Sequence, residues 1–95
     1  MNKKEELLTF LNQQLFNPIL QSPYASDELK YDFQHMLTTI SNFSVEGILI
    51  YFWTTMTNSE MQMIFSHRLE EEASLDFYLF LNTFKSYFTY EWLRS

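Results

Sequence analysis

The sequence predicts an all-α fold: a small, aromatic-rich bundle of four or five helices that forms a single domain over residues 1–95. Three observations favour this class. Apolar residues recur at helical spacing in four separate segments of the chain. Serine residues suited to cap a helix precede most of the predicted helices. Glycine occurs once and proline twice, so few tight turns are available.

The first predicted helix covers residues 3–16 and has Glu5 and Glu6 in its first turn, where the helix dipole favours negative charge. Its apolar side is formed by Leu7, Leu8, Leu11 and Leu15. We expect this helix to end at Asn17, because the residue before a proline avoids the helical region of backbone conformation. Residues 17–25, which contain Pro18 and Pro23, are then expected to form a loop.

The second predicted helix starts after Ser26, which is suited to cap it and is followed by two acidic residues. Polar residues occupy the other side of this segment. Its apolar stripe is formed by Leu29, Phe33, Met36, Leu37, Ile40 and Phe43. We therefore predict an amphipathic helix that buries this stripe in the core.

The segment that follows admits two interpretations. In the first, Ser44 caps a helix whose apolar face consists of Val45, Ile48, Leu49, Phe52, Trp53 and Met56. In the second, strand-preferring residues form a β-hairpin over residues 48–67, which makes the fold α+β. We favour helices, because Ser59 and Gln62 match a capping box and because an isolated two-stranded sheet is marginally stable.

The last predicted helix starts at Ser74 and has two apolar faces. The broader face consists of Phe77, Phe80, Leu81, Phe84, Phe88 and Trp92. A second stripe, on another side of the same helix, consists of Leu75, Leu79, Tyr90 and Leu93. One helix of a small bundle cannot easily bury two faces within its own chain, and exposed apolar patches mark partner sites. We therefore expect Leu79, Tyr90 and Leu93 to contact another chain, either a partner protein or a second copy.

The charge of the chain argues against nucleic acid and membrane partners. The formal net charge is −6, and the six lysine and arginine residues are scattered along the chain. A phosphate backbone or an anionic bilayer attracts clustered positive charge, so we expect neither partner. The one run of charge comprises Glu70, Glu71 and Glu72. We interpret it as a solvated face or as a patch that steers a basic protein surface towards the chain.

Residue types that carry catalysis or bind cofactors are scarce. The chain contains no cysteine, and its sole glycine, Gly47, cannot build a phosphate-binding loop. Asp32 and His35 form one acid-x-x-His pair facing away from the apolar stripe, whereas a di-iron bundle needs two such pairs facing inward. His67 and Glu71 match an ordinary surface pair. We therefore expect no enzymatic activity, no metal and no cofactor.

The lack of catalytic residues, the acidic charge and an aromatic content of 19% favour a non-enzymatic protein–protein interaction module. We expect a small acidic regulator or inhibitor of a partner protein, and the residue bias fits an AT-rich bacterial or phage genome. No targeting segment and no membrane-spanning run of roughly 20 apolar residues is found, so a cytoplasmic location is expected. Two alternatives stay open. One is a homodimer, and the other is a helix-turn-helix DNA-binding regulator, which the lack of a basic recognition helix disfavours.

Overall fold

The computed structural model describes residues 2–95, of which 81% are helical. No strand occurs among these residues, so the predicted all-α class is confirmed and the hairpin alternative over residues 48–67 is wrong. In chain order, the elements are α1 (Lys3–Leu11), a π-helical segment (Asn12–Phe16), α2 (Asn17–Leu20), α3 (Asp27–Ser41), α4 (Val45–Trp53), a 3-10 turn (Thr55–Thr57), α5 (Ser59–Ala73), α6 (Phe77–Tyr87) and α7 (Tyr90–Arg94).

The first helix does not end at Asn17, contrary to the prediction, and helix continues to Leu20. The chain passes the proline by widening into a π-helical turn, in which the N–H of Asn17 donates to the carbonyl of Asn12. This wide turn gives the Pro18 ring room, and the proline lies in the first turn of α2, where its missing N–H costs little. The extension buries Ile19 beside the leucines of α1.

Helix α3 matches its prediction. The Ser26 hydroxyl accepts a hydrogen bond from the N–H of Leu29 at 3.1 Å, so the predicted N-cap is confirmed. Leu29, Phe33 and Ile40 are buried, and the other residues of the predicted stripe are half-buried against the core. The apolar face of α4 is likewise buried in its central part, and Ser44 caps this helix through the N–H of Gly47.

Two predicted caps are wrong by one or two residues. Helix α5 is capped by Asn58, whose side-chain oxygen accepts from the N–H groups of the next residues, so Ser59 lies inside the helix and forms no capping box. Helix α6 is capped by Asp76, which accepts from the N–H of Leu79 at 3.0 Å. Ser74 instead ends α5 in a left-handed conformation with φ of 50°. The backbone of Asn58 before α5 and of Asp76 before α6 is not helical. This conformation places the side-chain oxygen of each residue close to the free N–H groups in the first turn of the helix that follows.

The last predicted helix is broken at Phe88 and Thr89, which separates α6 from α7. The Phe88 carbonyl accepts a hydrogen bond from the indole N–H of Trp53 at 3.2 Å instead of from a backbone N–H of a continuing helix. Thr89 then caps α7 by accepting from the N–H of Trp92. The break lets α7 fold back onto the beginning of α1.

Helix α7 is held there by a lysine from the other end of the chain. The Lys3 ammonium donates to the carbonyls of Trp92 at 2.8 Å and Leu93 at 2.7 Å. It also lies 5.5 Å from the centre of the Trp92 ring. A cation at the carbonyl end of a helix satisfies free acceptors and complements the helix dipole.

The buried apolar residues of α1 to α6 form one cluster, which is rich in phenylalanine. The rings of Phe52 and Phe84 lie 5.0 Å apart, and those of Phe33 and Phe65 lie 5.4 Å apart, which links α3 and α5. Burying one such side chain stabilises the fold by about 1.5–3 kcal/mol. No helix of residues 2–95 is long and apolar enough to cross a membrane.

Candidate partner-binding surface

The structure does not bring the three predicted contact residues onto one stripe. Leu79 lies near the start of α6 and is 61% exposed, whereas Tyr90 and Leu93 lie beyond the helix break. The Tyr90 side chain is 60% exposed, and its ring stacks beside that of Trp53 at 6.4 Å. Leu93 is half-buried and packs against the core. Of the three, Leu79 and Tyr90 are therefore available to a partner, on different parts of the surface.

The predicted acidic run contains two kinds of glutamate. Glu70 and Glu71 are exposed, and the Glu71 carboxylate lies 3.4 Å from His67. Glu72 is instead engaged within the fold. One of its carboxylate oxygens accepts from the backbone N–H of Ser26 at 2.8 Å, and the other accepts from Arg68 at 3.3 Å. Its role is to attach the start of α3 to α5.

The hydrogen bond from the Ser26 N–H lowers the pKa of Glu72 below its ordinary value, with a smaller contribution from the Arg68 guanidinium. A second contact joins the same two parts of the chain, because the Ser22 hydroxyl donates to the Glu72 carbonyl at 2.6 Å. The prediction that Glu72 steers a partner remains untested, but its carboxylate already has partners within the chain.

Glu70 and Glu71 lie where negative charge is unfavourable. They occupy the last turn of α5, which holds no basic residue, and the carbonyl end of a helix carries partial negative charge. Local helix stability therefore does not account for these residues. Their exposed carboxylates add to the negative potential of a chain with net charge −6.

A concave surface lies between α1 and α6, and we refer to it as the α1–α6 groove. Phe10 forms its floor, with its ring 5.0 Å from that of Phe88 and 6.3 Å from that of Phe80. Two adjoining hollows, of about 420 and 530 Å³, share Phe10, Gln14 and Thr83 as lining residues. The groove therefore runs past both sides of the Phe10 ring.

One wall of the groove is a line of residues on α6. Leu79, Thr83 and Tyr87 are spaced four residues apart and so follow one edge of the helix. Leu79 and Tyr87 are 61% and 65% exposed, and they form an apolar lip along this edge. Large side chains with this exposure, next to an aromatic floor, are typical of partner contacts.

The polar residues around the groove are acids and amides. Glu6 lines the hollow that reaches Trp92, and Asp76 lines the hollow that reaches Leu79. Gln13 and Gln14 are exposed on the α1 side. No lysine, arginine or histidine lines either hollow. The groove is therefore apolar at its floor and acidic at both ends.

Phe10, Thr83 and Tyr87, which line the groove, were not among the contact residues predicted from the sequence. Phe10 lies outside the leucine stripe of α1, and it becomes significant only because α6 packs opposite it. The four-residue spacing of Leu79, Thr83 and Tyr87 was present in the sequence. The prediction of one continuous helix instead grouped Leu79 with Tyr90 and Leu93 on one stripe.

A second apolar surface lies on the first half of α5. Met63 and Ile64 are 62% and 50% exposed, and a hollow of about 310 Å³ is lined by Met61, Ile64 and Phe65 among others. Leu69 is the one buried residue of this 15-residue helix. The first half of α5 therefore contacts the core through Met61 and Phe65 but leaves Met63 and Ile64 exposed.

No group of three or more histidine, aspartate or glutamate side chains is placed to hold a metal ion within residues 2–95. In the same part of the chain, every buried side-chain nitrogen or oxygen atom has a hydrogen-bond partner. Comparison with known proteins gives no relative: no protein-family model, curated protein or solved structure matches the chain.

Proposed function

We propose that this protein is a non-enzymatic interaction module, a small acidic regulator or inhibitor that binds a partner protein through the α1–α6 groove. The observation that carries the proposal is the apolar lip of Leu79 and Tyr87 beside the aromatic floor at Phe10. These side chains leave apolar surface in water, whereas Phe77, Phe80, Leu81 and Phe84 of the same helix are buried. A partner that covers them recovers the free energy of burying that surface.

The size of the effect follows from the residue types. Truncating a tyrosine or leucine at the centre of an interface costs on the order of 2 kcal/mol when the residue is a hot spot. That loss corresponds to a roughly 30-fold weaker complex. Tyr87 provides a rigid ring with little rotamer entropy to lose, so it is the stronger expected anchor of the two.

The acidic residues affect how fast the partner arrives. Glu70 and Glu71 are both exposed, and Glu70 lines a shallow hollow together with Asp76, which marks one end of the groove. Exposed charges of one sign accelerate the encounter with an oppositely charged surface and contribute less to the final affinity. We propose that this encounter takes place in the cytoplasm, because a chain without cysteine suits a reducing compartment.

The test is a pull-down of the tagged full chain from a lysate of the source organism, read by mass spectrometry. The groove variant is Leu79→Ala with Tyr87→Ala, and the matched control is Met63→Ala with Ile64→Ala on α5. Both pairs remove two exposed apolar side chains, so circular dichroism should show the same helix content in both variants. A foreign protein in stoichiometric amount, lost in the groove variant and kept in the control, supports the proposal. Retention by the groove variant would show that the groove is not the binding surface.

The second candidate function is self-association, and the specific observation that favours it is the poorly buried first half of α5. A second copy could cover Met63 and Ile64, which would complete the packing of that helix. Sedimentation analysis over a 100-fold range of concentration decides this, with the α5 variant as the comparison. A dimer that the α5 variant abolishes and the groove variant leaves intact would support self-association through α5.

A further inference from the structure

We propose that the α1–α6 groove receives an amphipathic α-helix of the partner, whose apolar stripe is flanked by lysine or arginine residues. The inference rests on the proposed function and adds the chemistry of the partner to it. Three properties of the groove carry it: the hydrogen-bonding capacity of its walls, its length and its charge.

The walls of the groove favour a helix over an extended segment. Apart from the link of residues 74–76 at one end, the walls are helical, so their backbone groups are hydrogen-bonded within the helices, and no strand edge exists in residues 2–95. The polar side chains near the floor are Gln13, Gln14 and Thr83. An extended partner would bring unpaired backbone N–H and C=O groups against the phenylalanine floor, which is costly. A helix satisfies its own backbone and presents only side chains.

The length of the groove matches a short helix. Leu79 and Tyr87 are eight residues apart on α6, which places them roughly 12 Å apart along its axis. Apolar anchors at positions i and i+7 of a bound helix are about 10.5 Å apart. One anchor would therefore enter each of the two hollows, on either side of the Phe10 ring. About three turns of helix cover this distance.

The charge of the groove selects basic residues on the partner. Glu6 marks one end and Asp76 the other, and Glu70 lies near the second. No lysine of α1 or α6 lines either hollow, although the Lys3 ammonium lies 5.5 Å from the centre of the Trp92 ring, which does. The Lys3 ammonium is held by carbonyls of α7, and Lys85 lies on the side of α6 away from Thr83. An acidic helix would be repelled, and a basic one would find carboxylates at both ends.

The experiment uses three fluorescently labelled peptides of 14 residues and the full chain. The first peptide has leucines at i, i+3, i+4 and i+7 with flanking lysines, and the second has the same leucines with flanking glutamates. The third has the composition of the first in scrambled order, so it carries the charge without the stripe. Fluorescence anisotropy should show the first peptide binding at least about tenfold more tightly than either of the others.

The site is tested with Thr83→Lys, which sets a long cation at the middle of the groove on a half-buried surface position. We expect this variant to bind the first peptide at least about tenfold more weakly than wild type does. The control Asn82→Lys, on another side of α6, should bind this peptide as tightly as wild type. Equal binding of the first and scrambled peptides, tighter binding of the acidic peptide, or equal effects of the two lysine variants would overturn the inference.

The outcomes separate this inference from the proposed function. If the lysate yields a partner that depends on Leu79 and Tyr87 while the basic peptide does not bind, the groove is an interface but its occupant is not a basic helix. If the peptide binds as expected while the lysate yields no partner, the chemistry of the groove is supported and the regulatory role is not. If both fail, the groove is not a binding site.

Discussion

Glu72 is the residue for which the structure gives the sharpest prediction, the effect of Glu72→Ala on stability. The substitution removes the carboxylate that accepts from the Ser26 N–H at 2.8 Å and from Arg68 at 3.3 Å. A hydrogen bond to a charged group contributes about 1.5–3 kcal/mol. The side chain is 22% exposed, which moves the value to the lower end of this range. The partly exposed pair with Arg68 adds at most about 0.5 kcal/mol.

The expected loss is therefore about 2 kcal/mol, obtained from one charged hydrogen bond and one weak ion pair. For a domain of this size, 1 kcal/mol shifts the melting temperature by about 4–8 °C, so the expected fall is about 8–16 °C. The matched control is Glu70→Ala, in the same turn of α5. Glu70 is exposed at the carbonyl end of the helix, so its removal should leave the melting temperature unchanged or slightly higher.

The difference between wild type and Glu72→Ala should depend on pH in one direction. Folding lowers the pKa of Glu72 from its ordinary value of 4.5, so the unfolded chain binds the proton more tightly than the folded protein. The contribution of Glu72 is therefore complete above pH 4.5 and is lost as the pH falls through the lower pKa of the folded state. Thermal melts followed by circular dichroism at pH 7, 5, 4 and 3 test this. Equal melting temperatures for Glu72→Ala and Glu70→Ala at pH 7 would refute the reasoning. A difference between wild type and Glu72→Ala that grows in acid would also refute it.

Three further substitutions test contacts at the helix ends. Lys3→Met keeps the apolar stem but removes the donor to two α7 carbonyls, which should destabilise the docking of α7 by about 1 kcal/mol. Amide hydrogen exchange in α7 should therefore accelerate about fivefold or more. Unchanged exchange would mean that α7 is held by packing alone. Trp53→Phe removes the donor to the Phe88 carbonyl and should lower the melting temperature by about 4–8 °C, whereas no change would contradict a structural role for this bond. Ser74→Gly should raise the free energy of unfolding by about 0.5 kcal/mol, because φ of 50° costs serine more than glycine, and a decrease in urea melts would count against the left-handed conformation.

The helical faces could be predicted because they depend on local spacing. In α3, Leu29, Phe33 and Ile40 are buried, as their spacing of four and then seven residues requires. The same holds for Phe77, Phe80 and Phe84 in α6. Only one rotation of a helix about its axis buries its apolar stripe, so the periodicity of the apolar residues decides which side faces the core.

The caps could not be chosen reliably, because competing capping residues stand next to one another. Asn58 precedes Ser59, and Asp76 lies two residues after Ser74. Each of the four is a good N-cap by residue type. The choice depends on where the backbone becomes extended, and the packing of α5 against the 3-10 turn and α6 decides that.

The helix break and the groove depend on contacts between distant parts of the chain. Neither proline nor glycine marks the break at Phe88, and its carbonyl is captured by Trp53, 35 residues earlier. The anchoring of Glu72 on Ser26 spans 46 residues. The groove joins Phe10 to the far end of the chain. No local pattern reports such pairs, so the groove could not be predicted from the sequence.

The position of α7 gives the protein a built-in optical reporter. The chain contains two tryptophans, and both lie at this helix: Trp92 belongs to it, and Trp53 stacks on Tyr90 and donates a hydrogen bond to the carbonyl of Phe88, two residues before α7. The indole of Trp92 packs edge-on against Phe88 at 4.8 Å and also lines the α1–α6 groove. Intrinsic emission from this chain therefore originates in one corner of the molecule. Undocking of α7 would shift the emission to longer wavelength before the far-ultraviolet signal of the remaining helices changes.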